Sequence, residues 1–130
     1  MNADAALKSY KAAETGSKVA IADPHRLIDM LFLGAKGHLN AAIGHLSVDD
    51  MMHKGEAVAK ALDIIEYLRV SLDPGIDNEF AETMASLYQY MGQRVSEANL
   101  ENDAEKFQEV IGLINEIHEG WQGIPKEYRS

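Results

Sequence analysis

Apolar residues recur every three or four positions along four long segments of this chain, and this spacing constrains the fold more than any other feature. It is the period of an α-helix that buries one face, whereas a half-buried strand alternates at every second residue. No segment of the chain shows a convincing strand alternation. The sequence therefore predicts an all-α protein.

The first segment has the clearest helix start. Asp23 can accept hydrogen bonds from the free N–H groups of a first turn, and Pro24 suits the first helical position because its missing N–H loses nothing there. The helix is expected to end near Leu46, before turn and capping residues at 47–50. Its predicted buried stripe consists of Ile28, Leu31, Ala35, Leu39, Ala42 and Leu46.

Three further helices are predicted, each bounded by turn or capping residues. The second is expected to end at residues 71–75, where Pro74 breaks the helix, and Asn78 is expected to cap the third. Residues 102–105 resemble a capping box for the fourth. The predicted buried residues are Met51, Val58, Ala61, Leu62, Ile65, Leu68 and Leu72 in the second helix, Phe80, Met84, Leu87, Met91 and Val95 in the third, and Phe107, Val110, Ile111, Ile114, Ile117 and Trp121 in the fourth.

Short connections between four amphipathic helices predict antiparallel neighbours, and hence an up-down-up-down four-helix bundle. Nothing in the sequence suggests a linker or a repeat, so residues 1–130 are predicted to form a single domain. Residues 1–18 have a short, poorly capped helical pattern and are predicted to be a mobile arm, helical or extended, that orders only when docked. Residues 122–130 are predicted to be a frayed tail.

The charge and composition exclude several classes of function. The formal net charge is −9, and no cluster of lysine and arginine interrupts the acidic surface, so nucleic-acid binding is disfavoured. The 130 residues include no cysteine, which excludes disulfides and thiolate chemistry. No apolar run is long enough to insert into a membrane. A cytoplasmic (cytosolic) protein is expected.

Motifs that would carry catalysis or hold a metal are almost absent. Di-iron bundles need paired Glu-x-x-His motifs, and the chain has none; it also lacks a Gly-x-Ser-x-Gly elbow. His38 and His45 are expected to be surface residues or satisfied by neighbours. His25 and Asp29 are expected to form a weak i,i+4 pair. We therefore predict no enzyme activity, no catalytic or metal-binding residue and no cofactor.

A histidine phosphotransfer bundle is the enzyme-like alternative. Such acidic four-helix proteins expose a histidine one turn before a Lys-Gly pair. The nearest fragments here are 36–38, in which the order is reversed, and 53–55, in which His53 and Lys54 are adjacent and point about 100° apart on a helix. The pattern disfavours this alternative without removing it.

A second stripe on the first helix suggests binding by surface shape. Small residues at Gly34, Gly37, Ala41 and Gly44 leave a shallow trough, although each helical glycine costs about 1 kcal/mol relative to alanine. Phe32 and Leu33 are expected to lie outside the main buried stripe. These surplus apolar faces suggest a groove for a partner's amphipathic helix. Ordinary packing within the bundle and a generic helical adaptor are the alternatives.

Several motifs in order and spacing resemble the flagellar secretion chaperone family (FliS). The resemblance extends from about Tyr10 to Trp121. It rests on residues 22–31 followed by Gly34-Ala35, on 60–65 followed by Leu68-Arg69 and 71–73, and on 87–91 with Arg94, 97–103 and Trp121.

The resemblance implies a cytoplasmic export chaperone that binds the disordered C-terminal segment of flagellin. Such a protein prevents premature polymerisation and assists delivery to the flagellar type III export gate. The resemblance leaves open whether the free protein forms a homodimer.

The family pattern also implies a set of flagellin-binding residues. They are Tyr10, Ile21, Pro24, Leu27, Leu31, Phe32, Gly34, Leu68, Leu72, Tyr88, Met91 and Arg94. By the same resemblance, Tyr10 belongs to an arm that occupies the client groove and can be displaced. The family usually has Tyr-Asp where this chain has Phe32-Leu33, so the resemblance implies a less polar rim at that point.

Overall fold

The computed structural model describes residues 23–72 and 78–123, which form four α-helices. Helix α1 covers Pro24–Ser47, α2 covers Met51–Val70, α3 covers Asn78–Glu101 and α4 covers Ala104–Gln122. The predicted arm, Pro74, Gly75 and the end of the predicted tail lie outside the described residues.

Each helix packs against two others. Helix α1 contacts α2 and α4, and α3 contacts the same two helices, whereas neither diagonal pair is in contact within the described ranges. Short turns join α1 to α2 and α3 to α4. This arrangement confirms the predicted all-α, up-down-up-down four-helix bundle.

The core lies along the centre of the bundle and takes side chains from all four helices. Burial of each large apolar side chain contributes about 1.5 to 3 kcal/mol to the free energy of unfolding. The largest fully buried side chains are Phe32, Phe107, Leu31, Leu39, Met91, Ile114, Val95 and Val110.

Helix α1 begins as predicted. The carboxylate of Asp23 accepts a hydrogen bond from the backbone N–H of His25 at 3.0 Å, and Pro24 occupies the first helical position. An acidic cap of this kind satisfies one of the four N–H groups that a helix start leaves without an internal partner.

The turns at one end of the bundle share a construction. Asp49 and Asn102 each adopt a left-handed backbone, with φ of 62° and 55°, and in each case the next residue, Asp50 or Asp103, caps the following helix. Asn and Asp tolerate that conformation better than other side chains do. The predicted start of the capping box at Asn102 is therefore one residue too early. Asn102 forms the turn, and Asp103 is the N-cap of α4.

Lys54, in the first turn of α2, reaches the turn between α3 and α4 from a buried position. Its Nζ donates hydrogen bonds to the carbonyl oxygen of Asn99 at 2.9 Å and to Oδ1 of Asn102 at 2.5 Å. Only 6% of Lys54 is exposed. A cation at the C-terminal end of α3 satisfies carbonyl groups that the helix leaves free and interacts favourably with the helix dipole.

Two apolar residues predicted to be buried are exposed instead. Phe80 is 71% exposed and Met51 is 37% exposed. The buried side of α3 passes through Tyr88, Met91 and Val95. Phe80 lies eleven residues, about three turns, before Met91 and therefore on the same side of the helix. It is exposed because it belongs to the first turn of α3, before the buried residues of that helix begin. Met51 is the first residue of α2, beyond the end of the packed core.

Phe32 lies in the core and not outside the buried stripe, which agrees with the alternative of ordinary packing within the bundle. Phe32 is 2% exposed and its ring lies 5.4 Å from that of His118 and 6.4 Å from that of Trp121, whereas its neighbour Leu33 is 52% exposed. Because α4 packs against α1, its aromatic side chains enclose Phe32 and extend the buried face of α1 beyond the predicted stripe.

Histidines join the start of α1 to the end of α4. The His25 and Trp121 rings stack at 4.6 Å, and the Trp121 indole N–H donates to the His25 carbonyl at 2.9 Å. Asp29 contacts His118 of α4 at 2.5 Å. The predicted His25–Asp29 pair is therefore wrong. His25 interacts with Trp121 of α4, and Asp29 interacts with His118 of α4.

Candidate functional site

An open groove with a volume of about 820 Å³ lies between α2 and α3. Three apolar residues form part of its lining: Leu62 and Ile65 from α2, and Tyr88 from α3. Ile65 and Tyr88 are buried and Leu62 is half-buried. Ile65 and Tyr88 form the floor of the groove, and Leu62 offers the more accessible apolar surface to anything that lies in it.

Tyr88 is uncharged in this environment. Burial raises the pKa of its phenol to about 12, because an apolar surrounding disfavours the phenolate. The groove therefore presents a neutral aromatic side chain at physiological pH.

The borders of the groove are polar. Gln89 and Gln93 follow one side of α3, and their amides can both donate and accept hydrogen bonds. On α2, Arg69 Nη2 pairs with Glu66 Oε1 at 2.5 Å. An apolar lining with amides along one border suits an amphipathic helix better than a uniformly apolar segment.

Gly92 lies in the lining of the groove. A Cβ atom built on Gly92 would meet nothing within 4 Å, so the fold itself does not require a glycine at this position. Gly112 on α4 has the same open surroundings and does not line the groove. A glycine in a helix destabilises it by about 1 kcal/mol relative to alanine, and the groove offers a reason for Gly92, since it gives a partner's backbone room to approach.

Asp63 differs from the other carboxylates of the groove in its described surroundings. Among the described residues, it forms neither an ion pair nor a hydrogen bond through its side chain. Burial raises the pKa of its carboxyl group. Glu97, at the same groove, instead pairs with Arg94 at 2.9 Å, and the hydrogen bond from Arg94 lowers the pKa of the Glu97 carboxyl group.

The structure disperses the twelve residues that the family resemblance implied. Tyr10 and Ile21 lie outside the described residues. Pro24 is exposed, and Leu27, Gly34, Leu72 and Arg94 are half-buried. The core holds Leu31, Phe32, Leu68, Tyr88 and Met91. Of the set, only Tyr88 lines the α2–α3 groove.

Sequence reasoning missed the polar members of the groove. Asp63 interrupts an apolar run at 61–65, and that interruption was a usable signal. Gly92, Gln89 and Gln93 carried no comparable signal, because their role depends on how α2 and α3 lie side by side.

The small-residue stripe on α1 is exposed at Gly37, Ala41 and Gly44, and a Cβ atom at either glycine would meet nothing within 4 Å. No helix among the described residues covers it. Its use as a docking face stays a prediction.

Residues 23–72 and 78–123 contain neither a metal-binding cluster nor a membrane-spanning helix. No group of three or more His, Cys, Asp or Glu side chains there could hold a metal ion. No helix in these ranges is long and apolar enough to cross a membrane.

Comparison with known proteins adds the family. The family model described as "Flagellar protein FliS" matches residues 6–128. The flagellar secretion chaperone FliS of Salmonella typhimurium is 42% identical over 119 residues, covering 91% of this chain and 88% of the relative. FliSB of Pseudomonas aeruginosa is 38% identical, covering 95% and 98%, and FliS of Bacillus subtilis is 31% identical, covering 96% and 93%. The chain therefore belongs to the FliS family of flagellar secretion chaperones, which are not enzymes.

Proposed function

We propose that this chain is a cytoplasmic export chaperone that holds the disordered C-terminal segment of flagellin in the groove between α2 and α3. The observation that carries the proposal is the groove itself: an apolar lining at Leu62, Ile65 and Tyr88, a border of amides, and no side chain at Gly92. The family membership supports a client of the flagellin type.

The physical task of such a chaperone explains this composition. Segments that assemble into a filament do so through apolar faces, and those faces must be covered until export. A groove that mixes apolar contacts with exchangeable amide hydrogen bonds can cover a helix and still release it. We propose that the bound client is thereby kept from polymerising and is delivered to the export gate.

The phosphotransfer alternative has lost its support. The His53 ring nitrogen Nδ1 contacts Asp50 at 2.7 Å, and the neighbouring Lys54 is buried against the end of α3. That lysine is held away from any phosphoryl group on His53. The family membership points to chaperoning instead.

The proposal is tested by calorimetric titration of the full chain with a synthetic peptide of the flagellin C-terminal segment from the same organism. A Cβ atom at Gly92 would meet nothing within 4 Å, so Gly92→Leu should occupy part of the groove and weaken binding at least tenfold without lowering the stability of the fold.

Gly112→Leu is the matched control, because it changes a helical glycine in equally open surroundings outside the groove. It should leave the affinity within about twofold of the unmodified chain. Equal affinities for both variants and the unmodified chain would exclude the groove as the client site. Absence of binding by the unmodified chain would refute the proposed function.

A further inference from the structure

Asp63 lies in the middle of α2, far from either end of the helix, and therefore caps nothing. Its side chain is half-buried in the lining of the groove. Aspartate is a poor helix former in such a position, and burial of an ionised carboxylate without a partner is unfavourable. In the free protein, Asp63 thus costs stability and returns no contact within the described part of the chain.

The charged neighbours of Asp63 show that this lack of a partner is particular to it. Glu66, three residues further along α2, is bound by Arg69, and Glu97 across the groove is bound by Arg94 and lies 3.4 Å from Lys106 Nζ. Hydrogen bonds from these arginines lower the pKa of each of the two glutamates, whereas burial raises the pKa of Asp63. Arg69, Arg94 and Lys106 are engaged by glutamates, and no described basic side chain, including Lys60 one turn earlier on α2, forms an ion pair with Asp63.

A residue that reduces the stability of the free fold and faces a binding groove has the profile of a residue kept for binding. The missing partner would be a cation supplied by the ligand. Lysine and arginine can reach such a carboxylate through long apolar stems, which would pack along Leu62 and Ile65.

We infer that Asp63 is a specificity-determining residue of the client groove, and that it selects amphipathic helical segments with a lysine or arginine within their apolar face. This inference rests on the proposed function, since it concerns the chemistry of the client that lies between α2 and α3. A segment with the same apolar residues and no cation would leave Asp63 buried without a partner and would bind more weakly.

The first experiment compares Asp63→Asn with Glu56→Gln in titrations against the flagellin C-terminal peptide. Both substitutions remove one negative charge from α2, but Glu56 is exposed and does not line the groove. Asp63→Asn should weaken binding about tenfold, the size expected for a partly buried charge-assisted hydrogen bond, whereas Glu56→Gln should change the affinity less than twofold.

Thermal unfolding of the same variants provides a readout that a structural role would not give. Asp63→Asn should raise the unfolding midpoint, because it removes a carboxylate that the free fold does not satisfy. A lowered midpoint would show that Asp63 serves the fold and would overturn the inference.

The second experiment identifies the cation. A set of peptides is made in which each lysine or arginine is changed in turn to glutamate. Each peptide is titrated against the Asp63→Lys variant and against the unmodified chain. One such peptide should bind Asp63→Lys at least tenfold more tightly than it binds the unmodified chain. If no peptide shows this reversal, or if Asp63→Asn binds like the unmodified chain, the inference fails. The proposed function still stands in that case, provided that Gly92→Leu weakens binding.

Discussion

Lys36 of α1 donates a hydrogen bond to Nδ1 of His118 on α4 over a distance of 2.9 Å. An ammonium group has no lone pair to offer, so Nδ1 must accept, and the ring proton lies on Nε2. That proton is directed to Asp29, whose Oδ1 is 2.5 Å from Nε2. His118 is thus held between Asp29 and Lys36, two residues of α1 that are seven positions apart. Lys36 also donates a hydrogen bond to Asn115 of α4 at 2.9 Å.

His118→Ala should lower the free energy of unfolding by about 3 kcal/mol, because it leaves a cavity beside Phe32 and removes the partner of Asp29. Urea denaturation monitored by circular dichroism measures the change. Glu116→Ala on the exposed side of α4 serves as the control and should change the stability by less than about 0.5 kcal/mol. Equal small effects would show that the histidine contacts do not join the helices.

Phe32 and Leu33 are adjacent in sequence but differ in environment, which makes them a matched pair. Phe32→Ala should cost about 3 to 5 kcal/mol, because a fully enclosed ring is removed, and Leu33→Ala should cost less than about 0.5 kcal/mol. Urea denaturation midpoints of the two variants test this difference. A larger loss for Leu33→Ala would mean that the outer side of α1 carries the core packing.

The cap of α4 provides a test of local structure. Asp103 Oδ1 accepts hydrogen bonds from the backbone N–H groups of Glu105 at 3.0 Å and Lys106 at 3.4 Å. Asp103→Ala should destabilise the protein by about 1 kcal/mol, whereas Asp103→Ser, which can still cap, should lose less. A thermal melt that ranks serine no better than alanine would contradict the capping role.

Tyr88 gives the fold a dependence on alkaline pH. Its pKa is raised to about 12 in the folded protein and is about 10 when unfolded, so the unfolded chain ionises first. Stability from this group is fully present below pH 10 and falls as the pH rises from 10 to 12, by about 2 to 3 kcal/mol.

Denaturant titrations of the unmodified chain and of Tyr88→Phe between pH 9 and pH 12 separate the contribution of the Tyr88 phenol to stability from that of the other ionisable groups. The unfolding free energy of the unmodified chain should fall relative to that of Tyr88→Phe as the pH rises, because phenylalanine does not ionise. A difference that stays constant with pH would mean that the phenol is not buried.

The sequence predicted the helices well because their signals are local. Asp23 and Pro24 determine the start of α1 through hydrogen bonds and backbone angles that involve only their immediate neighbours. The turn after α1 likewise depends on Asp49 and Asp50 and on backbone hydrogen bonds to residues no more than five positions away. Such features do not require knowledge of how the helices pack.

The errors arose where packing between helices decides the outcome. Phe32 is enclosed by side chains of α4, and Phe80 has the helical spacing of the buried residues of α3 but lies in its first turn, beyond the packed core. Neither environment can be obtained from one helix alone. The groove was missed for the same reason, because Asp63 and Gly92 come from different helices and meet only in the bundle.

Site-specific photocrosslinking tests the central proposal most directly, since it reports which surface the client touches. Benzoylphenylalanine at Gln89 lies in the α2–α3 groove, and at Asn40 it lies on the exposed side of α1 beside the small-residue stripe. With full-length flagellin as the client, we predict crosslinks from position 89 to the C-terminal segment and none from position 40. Crosslinks from position 40 without any from position 89 would contradict the account and place the client on α1.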